Sequence, residues 1–177
     1  FQDSLVHQEI LERVKAKTVP KSPHLSNALS QGLERLGINT LYYHQAEGLD
    51  LAKSGKNIVV VTHTASGKSL MFNLPVLESR IQNPDGHAIY LFPLKALEQD
   101  QAQKLTALLE ASNLENQITT GIYDGDTPSS ERAKMRKKAP NILISNPDML
   151  HLSILSYHSS WEDFLRGLKF IIVDELH

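Results

Sequence analysis

The fold is decided by the stretch VVVTHTASGKSLM at residues 59–71, which passes from a β-branched run through small residues into an apolar helical pattern. The valine run predicts a buried strand, and Leu70 and Met71 begin the pattern of a helix. Between them, Ala65, Ser66 and Gly67 allow a ligand to approach the backbone N–H groups, as phosphate binding requires. The stretch therefore predicts a strand, a phosphate-binding loop and a helix in succession.

The tripeptide Gly-Lys-Ser at residues 67–69 supplies the chemistry of this loop. Lys68 is expected to reach the β- and γ-phosphates of a nucleotide, and the hydroxyl of Ser69 is expected to bind Mg²⁺. The first position of the standard eight-residue motif is Thr62 rather than glycine, so the strict motif fails. The alternative is an ordinary strand-to-helix turn with a solvated lysine. The residues predicted to hold the phosphates are Thr64, Ala65, Ser66, Gly67, Lys68 and Ser69.

Composition limits the classes of function. The 177 residues are 41% apolar, which is enough for one domain with a buried core. With 18 basic and 20 acidic residues the formal charge is -2, so a nucleic acid would have to be held by a local surface. The absence of cysteine excludes disulfides, thiolate zinc sites and a cysteine nucleophile. No apolar run approaches the roughly 20 residues that span a bilayer, so we expect a cytoplasmic protein without a membrane partner.

Patterning along the chain predicts a helical appendage at residues 1–24, followed by one α/β domain at residues 25–177. Apolar runs alternate with helical patterns from residue 57 onward, as in a mostly parallel central sheet flanked by helices; the strand order stays open. Asn146-Pro147 and Asp126-Thr127-Pro128 are each expected to cap a helix. We also expect the chain to be part of a longer protein. The predicted strands are 58–62, 88–92, 118–123, 141–145 and 170–174.

The last predicted strand delivers two adjacent carboxylates, Asp174 and Glu175, at its carboxyl end. Ligands of open α/β sheets bind at this edge. The first carboxylate can hold Mg²⁺ through its water shell, and the second can orient and polarise an attacking water. We therefore predict that Asp174 serves the metal and Glu175 the water, with Lys68 as the third catalytic residue. A simple turn or helix cap is the alternative for an isolated acidic pair.

These motifs, taken in order, resemble the first RecA-like domain of a superfamily two DExH-box helicase, a P-loop NTPase fold. Within that family, Tyr-His-Gln and Asn-Pro-Asp-Met-Leu are most similar to the bacterial mitomycin-repair helicases and their relatives related to RecQ-four. The segments that carry the resemblance are 41–45, 64–69, 92–97, 121–127, 145–150 and 174–177.

The resemblance implies an ATP- and Mg²⁺-dependent motor that translocates 3′ to 5′ on DNA, in DNA repair. It implies that Gln45 reads adenine, that His177 couples the nucleotide to the nucleic acid, and that a second RecA-like domain completes the enzyme. Single-stranded or 3′-tailed DNA is the expected partner, and the chain alone is expected to be inactive or very weak. The residues implied to contact nucleic acid are Pro93, Lys95, Ala96, Gly125, Asp126, Thr127, Asn146 and Pro147.

Several alternatives stay open. A non-motor P-loop NTPase or small-molecule kinase would keep Lys68 and Asp174 but would not need Lys95 or Asn146. An RNA helicase of the same superfamily and a nucleotide-independent DNA-binding scaffold are further possibilities. The five cations between residues 132 and 138 could form a solvated helix face or a patch that follows phosphates.

Overall fold

Four parallel strands form the centre of the fold, and helices pack on both faces of the sheet. The computed structural model describes residues 17–21, 25–62 and 66–175. Its strands are β1 (Thr18–Pro20), β2 (Thr40–Tyr42), β3 (His87–Leu91), β4 (Thr120–Tyr123), β5 (Ile142–Ser145) and β6 (Leu168–Val173). Its α-helices are α1 (Asn27–Arg35), α2 (Tyr43–Lys53), α3 (Lys68–Gln82), α4 (Lys95–Ala111), α5 (Ser129–Lys137), α6 (Pro147–Met149) and α7 (Glu162–Arg166). A π-helix covers Leu150–Leu155 and a 3-10 helix covers His158–Trp161.

The sheet has the strand order β4-β5-β3-β6, and every neighbouring pair is parallel. Leu91, at the end of β3, lies opposite Ser145 of β5 and Val173 of β6. The strands therefore end at the same edge, and the loops that follow them share that edge. The predicted α/β class and parallel sheet are confirmed.

Side chains of the sheet alternate between two apolar layers, as the period of a strand requires. In β3, Tyr90 packs with the first layer and Ile89 with the second. Because both faces of β3 and β5 are covered, these two strands read as continuous apolar runs rather than as alternating ones. The buried residues of the first layer include Leu29, Leu33, Leu49, Leu74, Leu77, Phe92, Leu105, Leu108 and Ile144. Those of the second are Ile89, Leu91, Tyr123, Leu143, Ile154, Trp161 and Phe164.

A second, two-stranded sheet lies at the amino-terminal side of the domain. Here β1 pairs antiparallel with β2, and the N–H of Tyr43 donates to the carbonyl of Lys17 at 2.9 Å. Three residues of the predicted appendage, Thr18–Pro20, therefore pair with a strand of the domain. Residues 1–16 and 22–24 of the predicted helical appendage lie outside the described residues.

The prediction of a strand at residues 58–62 is wrong, because these residues form neither a strand nor a helix. A β-branched run supplies strand propensity, but a strand also needs a neighbour for its backbone hydrogen bonds. Within the described ranges no strand pairs with this segment, and Val59 and Val61 are 87% and 91% exposed. Among the described residues, no helix is both long and apolar enough to cross a membrane.

Candidate nucleotide and nucleic-acid site

The phosphate loop leads directly into α3, as the sequence predicts. Gly67 occupies the N-cap of this helix with a φ of 78°, a conformation that favours glycine. A Cβ atom at this position would also lie 2.5 Å from Nε2 of Gln45, so no larger residue fits without displacing that amide. Lys68 and Ser69 then fall in the first helical turn, where backbone N–H groups lack intrahelical partners and favour anions. Thr64 and Ala65 lie outside the described residues.

Helix α2 holds this loop through side chains. Nε2 of Gln45 donates to the carbonyl of Gly67 at 2.9 Å, and its Oε1 accepts from the N–H of Tyr42 at 2.9 Å. The ring of His44 stacks on Tyr42 with centroids 5.6 Å apart, and its Nε2 donates to the carbonyl of Ser66 at 3.0 Å. Gln45 is buried, with both ends of its amide in use. The adenine-reading role of Gln45 stays a prediction; holding the loop is a role that the sequence did not reveal.

The acidic pair lies at the carboxyl end of β6, beside the end of β3. The N–H of Asp174 donates to the carbonyl of Leu91 at 3.1 Å, which extends the ladder between the two strands. Glu175 has a φ of 54°, and its N–H donates to Oδ1 of Asp174 at 3.1 Å. Such a left-handed conformation is costly for a residue other than glycine, and residues of this kind cluster at functional sites. His177 lies outside the described residues.

The predicted nucleic-acid residues follow β3, β4 and β5 and therefore meet at this same edge. Nζ of Lys95, the first residue of α4, lies 2.5 Å from Oδ2 of Asp126 in the loop after β4. Both side chains are largely exposed. They border an open depression of about 490 Å³, which is also lined by Ala96 and Thr127. The structure thus brings two of the three predicted nucleic-acid segments into contact.

A buried turn organises the loop after β4. Oδ1 of Asp124 accepts from the N–H and the hydroxyl of Thr127, each at 2.7 Å, and from the N–H of Asp126 at 3.0 Å. Burial alone would raise the pKa of Asp124, but these hydrogen bonds and the nearby Lys95 outweigh it and lower the pKa. The side chain of Thr127 is also buried, and its hydroxyl stabilises the loop through the hydrogen bond to Asp124. The sequence analysis did not identify Asp124 as a site residue. An aspartate that accepts from the N–H groups two and three residues later is nevertheless a typical signal of a turn.

The third segment, after β5, is joined to α4. Oδ1 of Asn146 accepts from the N–H of Met149 at 2.9 Å and so caps α6, with Pro147 in the first position as predicted. Nδ2 of Asn146 donates to Oε1 of Glu98 at 3.0 Å. Burial raises the pKa of Glu98, and the Asn146 hydrogen bond opposes that rise. Glu98 is fully buried and was not among the predicted site residues.

The basic run lies in α5, apart from Lys138 at the C-cap, and the helix includes no buried side chain. Nη1 of Arg136 donates to the hydroxyl of Tyr123 at 3.0 Å, so this guanidinium is fixed against the sheet. Lys134, Lys137 and Lys138 are exposed. The helix cap predicted at Asp126-Thr127-Pro128 is wrong: Pro128 is the N-cap of α5, without a side-chain hydrogen bond. The side chain of Thr127 bonds to Asp124 instead.

Curated proteins similar to the chain are helicases. YprA of Bacillus subtilis, described as an uncharacterized ATP-dependent helicase, is 42% identical over 175 residues, covering 99% of this chain and 23% of YprA. The ATP-dependent helicase HRQ1 of Saccharomyces cerevisiae is 40% identical over 154 residues, covering 86% of this chain and 14% of HRQ1. The chain therefore spans less than a quarter of the length of these two relatives.

Solved structures agree in fold. The DUF1998 helicase MrfA bound to DNA and AMPPNP matches with a TM-score of 0.89 and 43% identity, over 94% of this chain and 23% of MrfA. The helicase Lhr of Mycobacterium smegmatis bound to single-stranded DNA and AMP-PNP matches with a TM-score of 0.77 and 29% identity, over 88% of this chain and 21% of Lhr. The family model for DEAD/DEAH box helicases matches residues 42–177. The chain therefore belongs to the DEAD/DEAH box helicase family, as the sequence motifs predict.

Proposed function

We propose that this chain is the first motor domain of an ATP-dependent DNA helicase that translocates 3′ to 5′ and acts in DNA repair. One observation carries the proposal: a short run of backbone hydrogen bonds joins the predicted catalytic pair to the predicted nucleic-acid segments. Asp174 donates to Leu91, and the next residue, Phe92, donates to Ser145 at 2.9 Å. Pro93 follows Phe92 in the chain, and Asn146 follows Ser145. A displacement of Asp174 can therefore be transmitted through β3 to both segments.

The nucleotide is assigned to the loop at the start of α3. Lys68 supplies a positive charge for the phosphates, and the N–H groups of the first helical turn supply donors. Ser69 and Asp174 offer the oxygen ligands that Mg²⁺ prefers. Among the described residues, no group of three His, Asp or Glu side chains is arranged to hold a metal. We therefore expect Mg²⁺ to be held jointly by this pair and the phosphates, where it would neutralise charge on the transferred phosphoryl group.

DNA is assigned to the edge formed by the loops after β3, β4 and β5. MrfA and Lhr, whose DNA-bound structures resemble this domain, support DNA over RNA. The relatives are much longer than this chain, which supports a second RecA-like domain in the complete protein. In that arrangement, closing and opening of two domains around the nucleotide would move the strand. The cytoplasmic location predicted from composition stays a prediction.

The proposal is tested with the complete protein in strand-separation and phosphate-release assays. We expect single-stranded DNA to stimulate ATP hydrolysis more than single-stranded RNA, and a duplex with a 3′ tail to be unwound in preference to one with a 5′ tail. Lys68→Ala should abolish both activities, whereas Lys56→Ala, at an exposed lysine before the loop, should change neither. Stimulation by RNA alone, unwinding from the 5′ tail, or turnover that nucleic acid leaves unchanged would each overturn the proposal.

A further inference from the structure

Glu98 is a buried carboxylate between two segments predicted to contact nucleic acid. It lies in the first turn of α4, three residues after Lys95, and is 0% exposed. Its Oε1 accepts from Nδ2 of Asn146 at 3.0 Å, a contact between residues 48 positions apart in the chain. The hydrogen bond therefore joins the beginning of α4 to the turn that follows β5.

Both polar ends of the Asn146 side chain are thereby committed within the protein. Its Oδ1 accepts from the N–H of Met149, and its Nδ2 donates to Glu98. The backbone bond from Phe92 to Ser145 fixes the two strand ends, but the segments beyond them continue into loops and helices. The side-chain hydrogen bond between Glu98 and Asn146 lies beyond these strand ends, in the segments where Lys95 and Pro147 are exposed.

The stability of the fold does not explain why a carboxylate occupies this buried position. Oε2 of Glu98 is buried and has no hydrogen-bond partner among the described residues. A buried carboxylate oxygen without a partner is costly, and an apolar residue would avoid that cost. Glu98 also lies within electrostatic reach of Lys95, Asp124 and Asp126, which line the nucleic-acid edge. A buried carboxylate that lowers the stability of the fold and lies beside the nucleic-acid edge indicates a role in binding.

We propose that Glu98 is a positioning residue for nucleic-acid binding. Through its hydrogen bond with Asn146, it holds the Asn146–Pro147 turn at a fixed distance from Lys95, so that both contact the backbone of one strand together. The inference rests on the proposed function and adds a residue that acts without touching the nucleic acid. Because a flexible turn must be ordered on binding, loss of this bond weakens binding rather than nucleotide affinity.

A donor–acceptor exchange tests the proposal in the complete protein. Asn146→Asp keeps the oxygen that caps α6 but removes the donor to Glu98, and we expect roughly tenfold weaker binding of single-stranded DNA. Adding Glu98→Gln restores the bond with reversed polarity, since the introduced glutamine amide can donate to the new carboxylate. This double variant has the parent's net charge, and we expect its DNA affinity to return to within about threefold of the parent. ATP affinity without DNA should stay unchanged in all variants.

Fluorescence anisotropy measures DNA affinity, and thermal melting establishes that each variant is folded. Leu105→Ala is the matched control, because it removes a fully buried side chain from the same helix, seven residues after Glu98. It should lower the melting temperature and leave DNA affinity intact. If the parent binds DNA but the double variant does not recover that binding, the positioning role is overturned. An equal loss of DNA affinity in Leu105→Ala would overturn it as well. A parent that binds no DNA would overturn the proposed function itself.

Discussion

Lys95 and Asp126 form an exposed ion pair, 2.5 Å from Nζ to Oδ2, at the edge of the sheet assigned to nucleic acid. The hydrogen bond that Lys95 donates to Asp126 is the main reason that the pKa of Lys95 is raised, and Asp124, Asp126 and Glu98 add to the rise through their charges. The cation that is proposed to meet a phosphate is therefore already held by a carboxylate. A phosphate must compete with Asp126 for Lys95, and Asp126 itself repels the phosphate.

Asp126→Asn should therefore strengthen the binding of single-stranded DNA. Exposed ion pairs of this kind are weak and are screened by salt, so we expect about a two- to fivefold gain in affinity, largest at low salt. Asp100→Asn is the matched control, because Asp100 forms an exposed pair with Lys104 on the same helix and the change in net charge is identical. Titrations against salt measure both variants. An equal gain in the two would indicate a general charge effect and would remove the special role of Asp126.

The buried turn around Asp124 should be important for stability. Asp124→Ala leaves the backbone N–H groups of Asp126 and Thr127 without their acceptor in a buried loop, whereas the Thr127 hydroxyl can still donate to the carbonyl of Ile122 at 3.1 Å. We expect a loss of about 2 to 3 kcal/mol in the free energy of unfolding, measured by denaturant titration. Asp148→Ala, at an exposed aspartate of α6, should cost much less. Equal losses in the two variants would contradict the importance of this turn.

The same carboxylate predicts a pH dependence. Because the folded state lowers the pKa of Asp124 below its ordinary value of 3.8, its charged form stabilises the protein fully above that value. This contribution is lost as the pH falls from about 3.8 through the lower, folded pKa. The difference in stability between the parent and Asp124→Asn should therefore be constant near neutral pH and shrink below about pH 3.8. A difference that grows on acidification would reverse the sign and contradict the assignment.

Gln45 should affect nucleotide binding in two separable ways. Gln45→Ala removes the donor to Gly67, so the phosphate loop loses a contact that holds it, and affinities for both ATP and GTP should fall about tenfold. If Gln45 also reads adenine, ATP affinity should fall further than GTP affinity. Calorimetry with each nucleotide measures both effects, and Glu47→Ala, at an exposed position on α2, serves as the control. Unchanged affinities for both nucleotides would exclude a role of Gln45 in the site.

Much of the fold followed from local patterns. The apolar runs at β3 and β5 are buried on both faces and were predicted as strands, since such runs are typical of covered parallel sheets. Asn146 and Pro147 predicted a helix start because capping depends on nearby residues alone. The segment at residues 58–62 was predicted wrongly because strand formation depends on a neighbour, which composition does not reveal.

The site could be predicted only where its chemistry is local. Lys68, Asp174 and Glu175 stand in short motifs next to the elements that position them. Glu98 could not be found in this way, because its role depends on burial and on a partner 48 residues away. The role of Gln45 in holding the loop was likewise hidden, since its contact with Gly67 joins segments 22 residues apart. Long-range side-chain contacts are therefore what the structure adds to the sequence.

Glu175 is the residue that we expect to separate hydrolysis from binding. In the complete protein, Glu175→Gln keeps the size and hydrogen-bonding capacity of the side chain but removes the carboxylate that is proposed to polarise water. Its left-handed backbone, with a φ of 54°, is about as costly for glutamine as for glutamate, so the variant should fold normally. We expect unchanged affinity for Mg-ATP and hydrolysis slower by about 10² to 10⁴.

Asp174→Asn should behave differently, because a neutral amide is a poorer partner for Mg²⁺ than a carboxylate. We expect this variant to need more Mg²⁺ for half-maximal hydrolysis, whereas the Mg²⁺ dependence of the residual activity in Glu175→Gln should match the parent. Phosphate release across a Mg²⁺ series, with saturating single-stranded DNA, distinguishes the two, and Glu115→Gln at an exposed loop position is the control. Hydrolysis at the parent rate in Glu175→Gln would show that another group activates the water. The carboxylate of Asp174 would then be the first candidate, since its Oδ1 lies 3.1 Å from the N–H of Glu175 at the same strand end.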